Sequence, residues 1–187
     1  MSLALEDCSD GELAALALSG RQSAYTALLA RYREPVFRVV RATIGDDDAA
    51  VDVTQETFVS AFAALKSYDA DRPFKTWISR IAINKCRDWA RRRSVRRFFS
   101  FALPIEAAAN VAADTITADQ QISDRAELAR VQTAIATLPQ AIREPLVLRT
   151  IEGMTQAESA QVLGISEKAV ETRLYRARAK LTELLRV

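Results

Sequence analysis

The chain has 187 residues, 49% of them hydrophobic and 7% aromatic, with a formal net charge of +2. It contains no histidine, and its two cysteines, Cys8 and Cys86, lack metal-ligand spacing, which excludes histidine-based metal sites and Ser-His catalysis and argues against a disulfide framework. Abundant Ala, Leu and Arg with few aromatics favour an all-α fold. Glu6 and Asp7 stand where a signal peptide would be basic and then apolar. No apolar run reaches the length of a membrane span, so the expectation is a soluble cytoplasmic protein without membrane insertion.

In chain order, Ser9-Asp10-Gly11-Glu12 is a helix start, followed by Leu13, Leu16 and Leu18. After Gly20 a second pattern carries Tyr25, Leu28, Leu29 and Tyr32, and Pro35 stands near the start of a third with Val36, Val39, Val40 and Ile44. Gly45-Asp46-Asp47-Asp48 breaks that pattern. The spacing of Val51, Phe58, Phe62 and Leu65 then predicts a helix over about 49–65. One face of it holds Asp52, Gln55 and Glu56 on adjacent turns, which by itself describes an ordinary acidic helix surface.

Residues 69–73 form a turn, and a long helix begins near Pro73. Trp77, Ile78, Ile81 and Ala82 give it an apolar side, whereas Arg80, Asn84, Arg87 and Arg91 share another. From Arg80 to Arg97 eight basic residues face one acid, Asp88. Such a cluster repels itself unless phosphates neutralise it. Asn84 within the arginine row offers a planar amide to a base edge. Tyr68, Phe74 and Trp77 lie beside the preceding turn, and Lys75 adds charge. A basic track joined to aromatic platforms suits single-stranded nucleic acid.

Residues 98–126 differ in kind: one basic residue against four acids, Pro104, and an Ala-, Asp-, Thr- and Gln-rich tract with little periodicity. They are expected to be a long irregular linker between two helical domains, 1–97 and 127–187. The second domain resumes with Leu128, Val131, Ile135 and Leu138, breaks at Pro139, and continues with Ile142, Leu146, Val147 and Ile151. The chain closes with a helix-turn-helix. Thr155 and Glu158 form a capping box, Gly164 makes the turn, and Ser166 caps the second helix. Val170, Leu174, Ala177, Leu181 and Leu184 form its expected buried stripe. Lys168, Glu171, Thr172, Arg173, Tyr175, Arg176 and Lys180 face outward and suit base edges and phosphates.

Three segments in this order resemble the extracytoplasmic-function class of bacterial sigma factors. Asp52-Val53-Thr54-Gln55-Glu56-Thr57-Phe58 is similar to that family's segment for docking on the largest RNA polymerase subunit. Phe74 to Asn84, with the arginines that follow, resembles its promoter-melting helix, and Leu138-Pro139 through Arg178 its promoter-reading domain. Val51 departs from the family by standing where an acid is common, and Glu171 by standing where a basic or small residue is usual.

The resemblance implies transcription initiation rather than catalysis by the chain itself. Its partners would be core RNA polymerase, promoter DNA as duplex and as single strand, and an anti-sigma factor. Asp52, Gln55, Glu56 and Phe58 would dock on polymerase. Tyr68, Phe74, Lys75, Trp77, Arg80, Asn84, Arg87 and Arg91 would hold the separated strand. Ser166, Lys168, Glu171, Thr172, Arg173, Tyr175 and Arg176 would read duplex. No metal or cofactor is implied. A freestanding helix-turn-helix regulator would instead bind duplex tightly without polymerase. A sigma-like decoy that only binds a regulator would have little use for the Arg80–Arg97 cluster. An enzyme is remote, since no nucleophile–base pair, phosphate loop or metal cluster appears.

Overall fold

A computed structural model describes residues 5–102 and 119–186, and every regular element among them is helical. The first five elements are α1 (Asp10–Leu18), α2 (Gln22–Ile44), α3 (Asp47–Ala63), a single 3₁₀ turn (Leu65–Ser67) and α4 (Phe74–Ala102). The remainder are α5 (Asp119–Thr137), α6 (Gln140–Thr150), α7 (Gln156–Leu163) and α8 (Glu167–Leu185). Among the described residues no helix is long and apolar enough to cross a membrane.

The local start signals operate as expected from their chemistry. The Ser9 hydroxyl accepts from the Glu12 N–H while the Glu12 carboxylate accepts from the Ser9 N–H, and Thr155 and Glu158 do the same at α7. Gly164 takes φ +67°, a left-handed conformation that terminates α7 and turns the chain into α8. Ser166 then accepts from Ala169 N–H at 3.2 Å.

Three boundaries differ from the sequence expectation. Residues 22–44 form one helix, not two, with Pro35 inside it. The missing N–H costs a helical bond, but Leu28 before the proline and Val36 and Val40 after it are buried in the same core, which holds both halves in line. At the other end, α4 runs through 98–102 and α5 starts at Asp119, so the expected linker loses residues at both its ends. Once a helix is anchored, each added residue gains a bond for little cost, even without apolar periodicity. The rest of that linker, 103–118, lies outside the described residues.

Two cores result. The first joins α1 to α4 around Leu13, Leu28, Phe58, Leu65, Phe74 and Ile78. The second joins α5 to α8 around Leu138, Leu148, Met154, Val170 and Leu174. It also takes in Val39 of α2 and Ile83 of α4, both fully buried, so the two helical groups meet face to face. The stripe of α8 is shorter than expected. Val170, Leu174 and Ala177 are buried and Leu181 half-buried, whereas Leu184 is 46% exposed because the helix has by then run past its neighbours.

Candidate nucleic-acid and polymerase interfaces

On α3, Asp52 and Gln55 are exposed and Glu56 is half-buried. Glu56 is already partnered, since Arg92 of α4 lies 3.1 Å from it. Asp52 makes no ion pair among the described residues and is the open charge of this face. Val59, 71% exposed, completes the row at the seventh position after Asp52; the i, i+3, i+4, i+7 spacing 52-55-56-59 was the signal for it. Phe58 is not part of the surface. It is 5% exposed and stacks at 5.7 Å on Phe62, because it lies on the opposite, core-facing side of α3.

The face of α4 is built on an aromatic cluster. Phe74 is fully buried and touches three rings: Tyr32 at 5.0 Å, Tyr68 at 5.1 Å and Trp77 at 5.2 Å. It therefore supports the site from below and offers no surface to a base, contrary to the sequence expectation. Tyr68 and Trp77 remain partly exposed, 5.3 Å apart. The Tyr68 hydroxyl donates to the Arg72 carbonyl at 2.7 Å, which fixes the turn. Burial raises the Tyr68 phenol pKa, with Asp10 and Asp69 adding to the effect. A cleft of about 150 Å³ opens here between Tyr68, Asp69, Thr76, Trp77, Arg80 and Gln161. The Thr76 hydroxyl is buried at its wall without a hydrogen-bond partner.

Arg80 and Asn84 are exposed along the same helix. Arg91 is exposed too and pairs with Asp88 at 2.5 Å. Lys75 and Arg87 are engaged elsewhere. Lys75 Nζ donates to the Glu152 carbonyl at 2.7 Å and lies 3.2 Å from its carboxylate. Arg87 makes a two-point pair with Glu144, Nε to Oε1 at 2.9 Å and Nη2 to Oε2 at 2.6 Å, and its pKa is raised chiefly by those hydrogen bonds. Neighbouring Cys86 is a buried thiol whose pKa is pushed up to about 12 by burial, so it is an inert core residue and not a nucleophile.

On α8, Lys168, Glu171, Thr172, Tyr175 and Arg176 are exposed and Arg173 is half-buried. Tyr175 is 77% exposed. Lys168 and Glu171 pair at 2.8 Å, so the acid on this face is locally neutralised. Arg173, Arg176 and Arg178 make no ion pair among the described residues. Gln156 Nε2 donates to the Glu167 carbonyl at 3.0 Å and pins α7 to the start of α8. The helix thus presents two exposed guanidinium groups, Arg176 and Arg178, and the half-buried Arg173 on a rigid two-helix support, an arrangement suited to phosphates and base edges.

Comparison with known proteins gives consistent matches. Residues 28–96 match Sigma-70 region 2, and residues 128–181 match Sigma-70, region 4. The RNA polymerase sigma factor CnrH of Cupriavidus metallidurans is 45% identical over 180 residues, 95% of this chain and 94% of that protein. The ECF RNA polymerase sigma factor SigM of Mycobacterium tuberculosis is 31% identical over 177 residues, 95% of this chain and 85% of that protein. Among solved structures, CnrH in complex with the cytosolic domain of CnrY superposes with a TM-score of 0.69 at 39% identity, covering 94% of this chain and 96% of that one.

Proposed function

The chain belongs to the ECF RNA polymerase sigma factors, and from that premise we propose how its surfaces divide the work of promoter recognition. As a family member it binds core RNA polymerase, directs it to promoters and assists strand opening. It is an initiation factor, and the bond-forming chemistry belongs to polymerase. Region 2, with α4, takes the separated strand. Region 4, with α8, takes upstream duplex. The observation that supports this division most is the pairing of the exposed Arg80–Asn84 face with an adjoining cleft at Tyr68 and Trp77, at one end of the molecule's long basic helix.

Polymerase docks on the α3 face around Asp52, Gln55 and Val59. Asp52→Arg is expected to slow association with core polymerase about tenfold at low ionic strength and to leave dissociation little changed, because an exposed charge acts mainly by steering. Stopped-flow association at two salt concentrations checks this. An unchanged rate would place docking elsewhere.

On α8 the residues near the Ser166 cap read bases, and Arg176 holds phosphate. Arg176→Ala is expected to weaken holoenzyme binding to all promoters alike and to reduce the slope of log affinity against log salt by about 1. Glu171→Lys is expected to change which upstream sequences are preferred. Gel-shift titrations of both variants with core polymerase test the assignment, and a sequence-selective effect of Arg176→Ala would refute it. We further propose a cytoplasmic location and control by an anti-sigma protein. CnrH, the relative solved with the cytosolic domain of CnrY, supports the existence of such a partner surface.

A further inference from the structure

Beyond Ala90, α4 runs past its neighbours, and every side chain from Arg91 to Phe99 is exposed. Three of them form an apolar tip. Val95 is 51% exposed, Phe98 74% and Phe99 61%, and the two rings meet edge to face at 5.9 Å. Neighbouring apolar groups left in water mark a surface that a partner covers. The base of the tip is held fast. Arg92 pairs with Glu56 at 3.1 Å and Arg93 with Asp46 at 3.5 Å, which ties this part of α4 to α3 and its cap. Arg93 also lies 4.9 Å above the ring of Trp89. The rings therefore project from a fixed helix, and little freedom is lost when a partner meets them.

Helical register sets Phe98 on the strand-binding side. It follows Arg80 by 18 residues, five turns at about 3.6 residues each, so the two side chains point the same way roughly 27 Å apart. Arg91 and Arg87, seven and eleven residues before it, lie within about 20° of that line, and Asn84 within about 40°. Phe99 is turned about 100° away from it. The charge of the tip selects the occupant. Residues 91–97 include five arginines and no acid. A second copy of the chain would bring the same charge against itself. Nucleic acid offers phosphates to the arginines and flat bases to the rings. From this end of α4 the chain leads on to region 4, assigned above to upstream duplex, so Phe98 stands at the upstream end of the row.

We propose that Phe98 stacks on the last base pair of the upstream duplex, where it gives way to the separated strand. An opened duplex ends in a pair that has lost the stacking of its neighbour, and an apolar ring set at that step replaces the contact. Arg91, two turns earlier on the same line, is placed for an adjoining phosphate. Asn84 then meets the strand inside the opening, and Phe98 marks its upstream boundary. This inference rests on the assignment of the α4 face to the separated strand.

The test uses holoenzyme assembled from core polymerase and the full chain, on a promoter that it transcribes. Permanganate footprinting at intervals after a heparin challenge reads the lifetime of open complexes. Phe98→Ala is expected to shorten that lifetime about tenfold, within the range for losing one base stacked on a ring. Closed complexes and the thermal midpoint of the free protein should stay unchanged, because the ring is exposed. Phe98→Trp keeps a flat ring and should retain the parent lifetime. Phe99→Ala should lose less than about twofold, because its ring points off the line. Placing p-benzoylphenylalanine at position 98 identifies the occupant. Irradiated open complexes should give an adduct on promoter DNA at the upstream edge of the permanganate-reactive segment. An adduct on polymerase alone, or none, would overturn the proposal. So would an unchanged lifetime in Phe98→Ala, or a loss as large in Phe98→Trp or Phe99→Ala as in Phe98→Ala. Asn84→Ala in the same assay separates the two readings. If it melts the promoter normally, the strand assignment fails. If it is impaired while Phe98→Ala is not, only the stacking role of Phe98 fails.

Discussion

Asn84→Ala is expected to impair promoter opening selectively. The side chain is exposed on the basic face of α4, between Arg80 one turn before and Arg87, whose Nη1 donates to Asn84 Oδ1 at 3.4 Å. That bond is long, so the amide is not committed to the protein. Its remaining donor and acceptor capacity suits the edge of an unstacked base. The substitution removes no buried volume and no core contact, so stability and polymerase affinity should hold. A base contact of this type is worth about 1–3 kcal/mol, so open complexes should fall roughly 5- to 150-fold while closed complexes form normally. Permanganate footprinting of unpaired thymines measures the first and gel shift at low temperature the second. Equal melting by variant and parent would remove Asn84 from the mechanism.

Phe74→Ala is expected to be the most damaging single truncation in region 2. The ring is fully buried, begins α4 and contacts Tyr32 of α2, Tyr68 of the turn and Trp77 of its own helix. Truncating a buried phenylalanine costs about 3–5 kcal/mol through lost transfer energy and a residual cavity. That is a large share of the roughly 5–15 kcal/mol that holds an ordinary domain together. The urea midpoint should drop accordingly with little change in slope. A loss below about 1 kcal/mol would mean that the cluster repacks. The tyrosine and tryptophan walls of the cleft rest on this ring, so strand opening should fail along with stability.

Much of the fold was legible because it is locally encoded. The capping boxes at Ser9–Glu12 and Thr155–Glu158, the left-handed Gly164 and the Ser166 cap each involve residues three or four apart, and all four stand where the sequence indicated. The outward face of α8 was legible for the same reason, since Val170, Leu174 and Ala177 fix which side is buried. What escaped the sequence depends on distant partners. Phe74 is an aromatic at a position that could face either way, and only the arrival of Tyr32 and Tyr68 sends it inward, whereas the inward side of Phe58 was legible from its helical spacing with Phe62 and Leu65. Arg87 belongs to the basic row by spacing, and Lys75 adds charge beside it. Their engagement with Glu144 and Glu152, 57 and 77 residues away, depends on how the two groups dock. Pro35 misled in the opposite sense, because packing on both sides overrides a local break.

This protein gives promoter specificity to core RNA polymerase, and it is expected to have little promoter affinity without polymerase. Each half is expected to read a short element, with polymerase joining the two bindings into one. Run-off transcription on a genomic promoter library, with core polymerase, this protein, or both, measures that claim directly. Discrete transcripts from a defined set of promoters should appear only when both are present, and the free protein should bind those promoters weakly in gel shifts. No new transcripts with polymerase, together with sequence-specific duplex binding by the free protein in the range of about 10⁻⁸–10⁻¹¹ M typical of self-sufficient regulators, would contradict it.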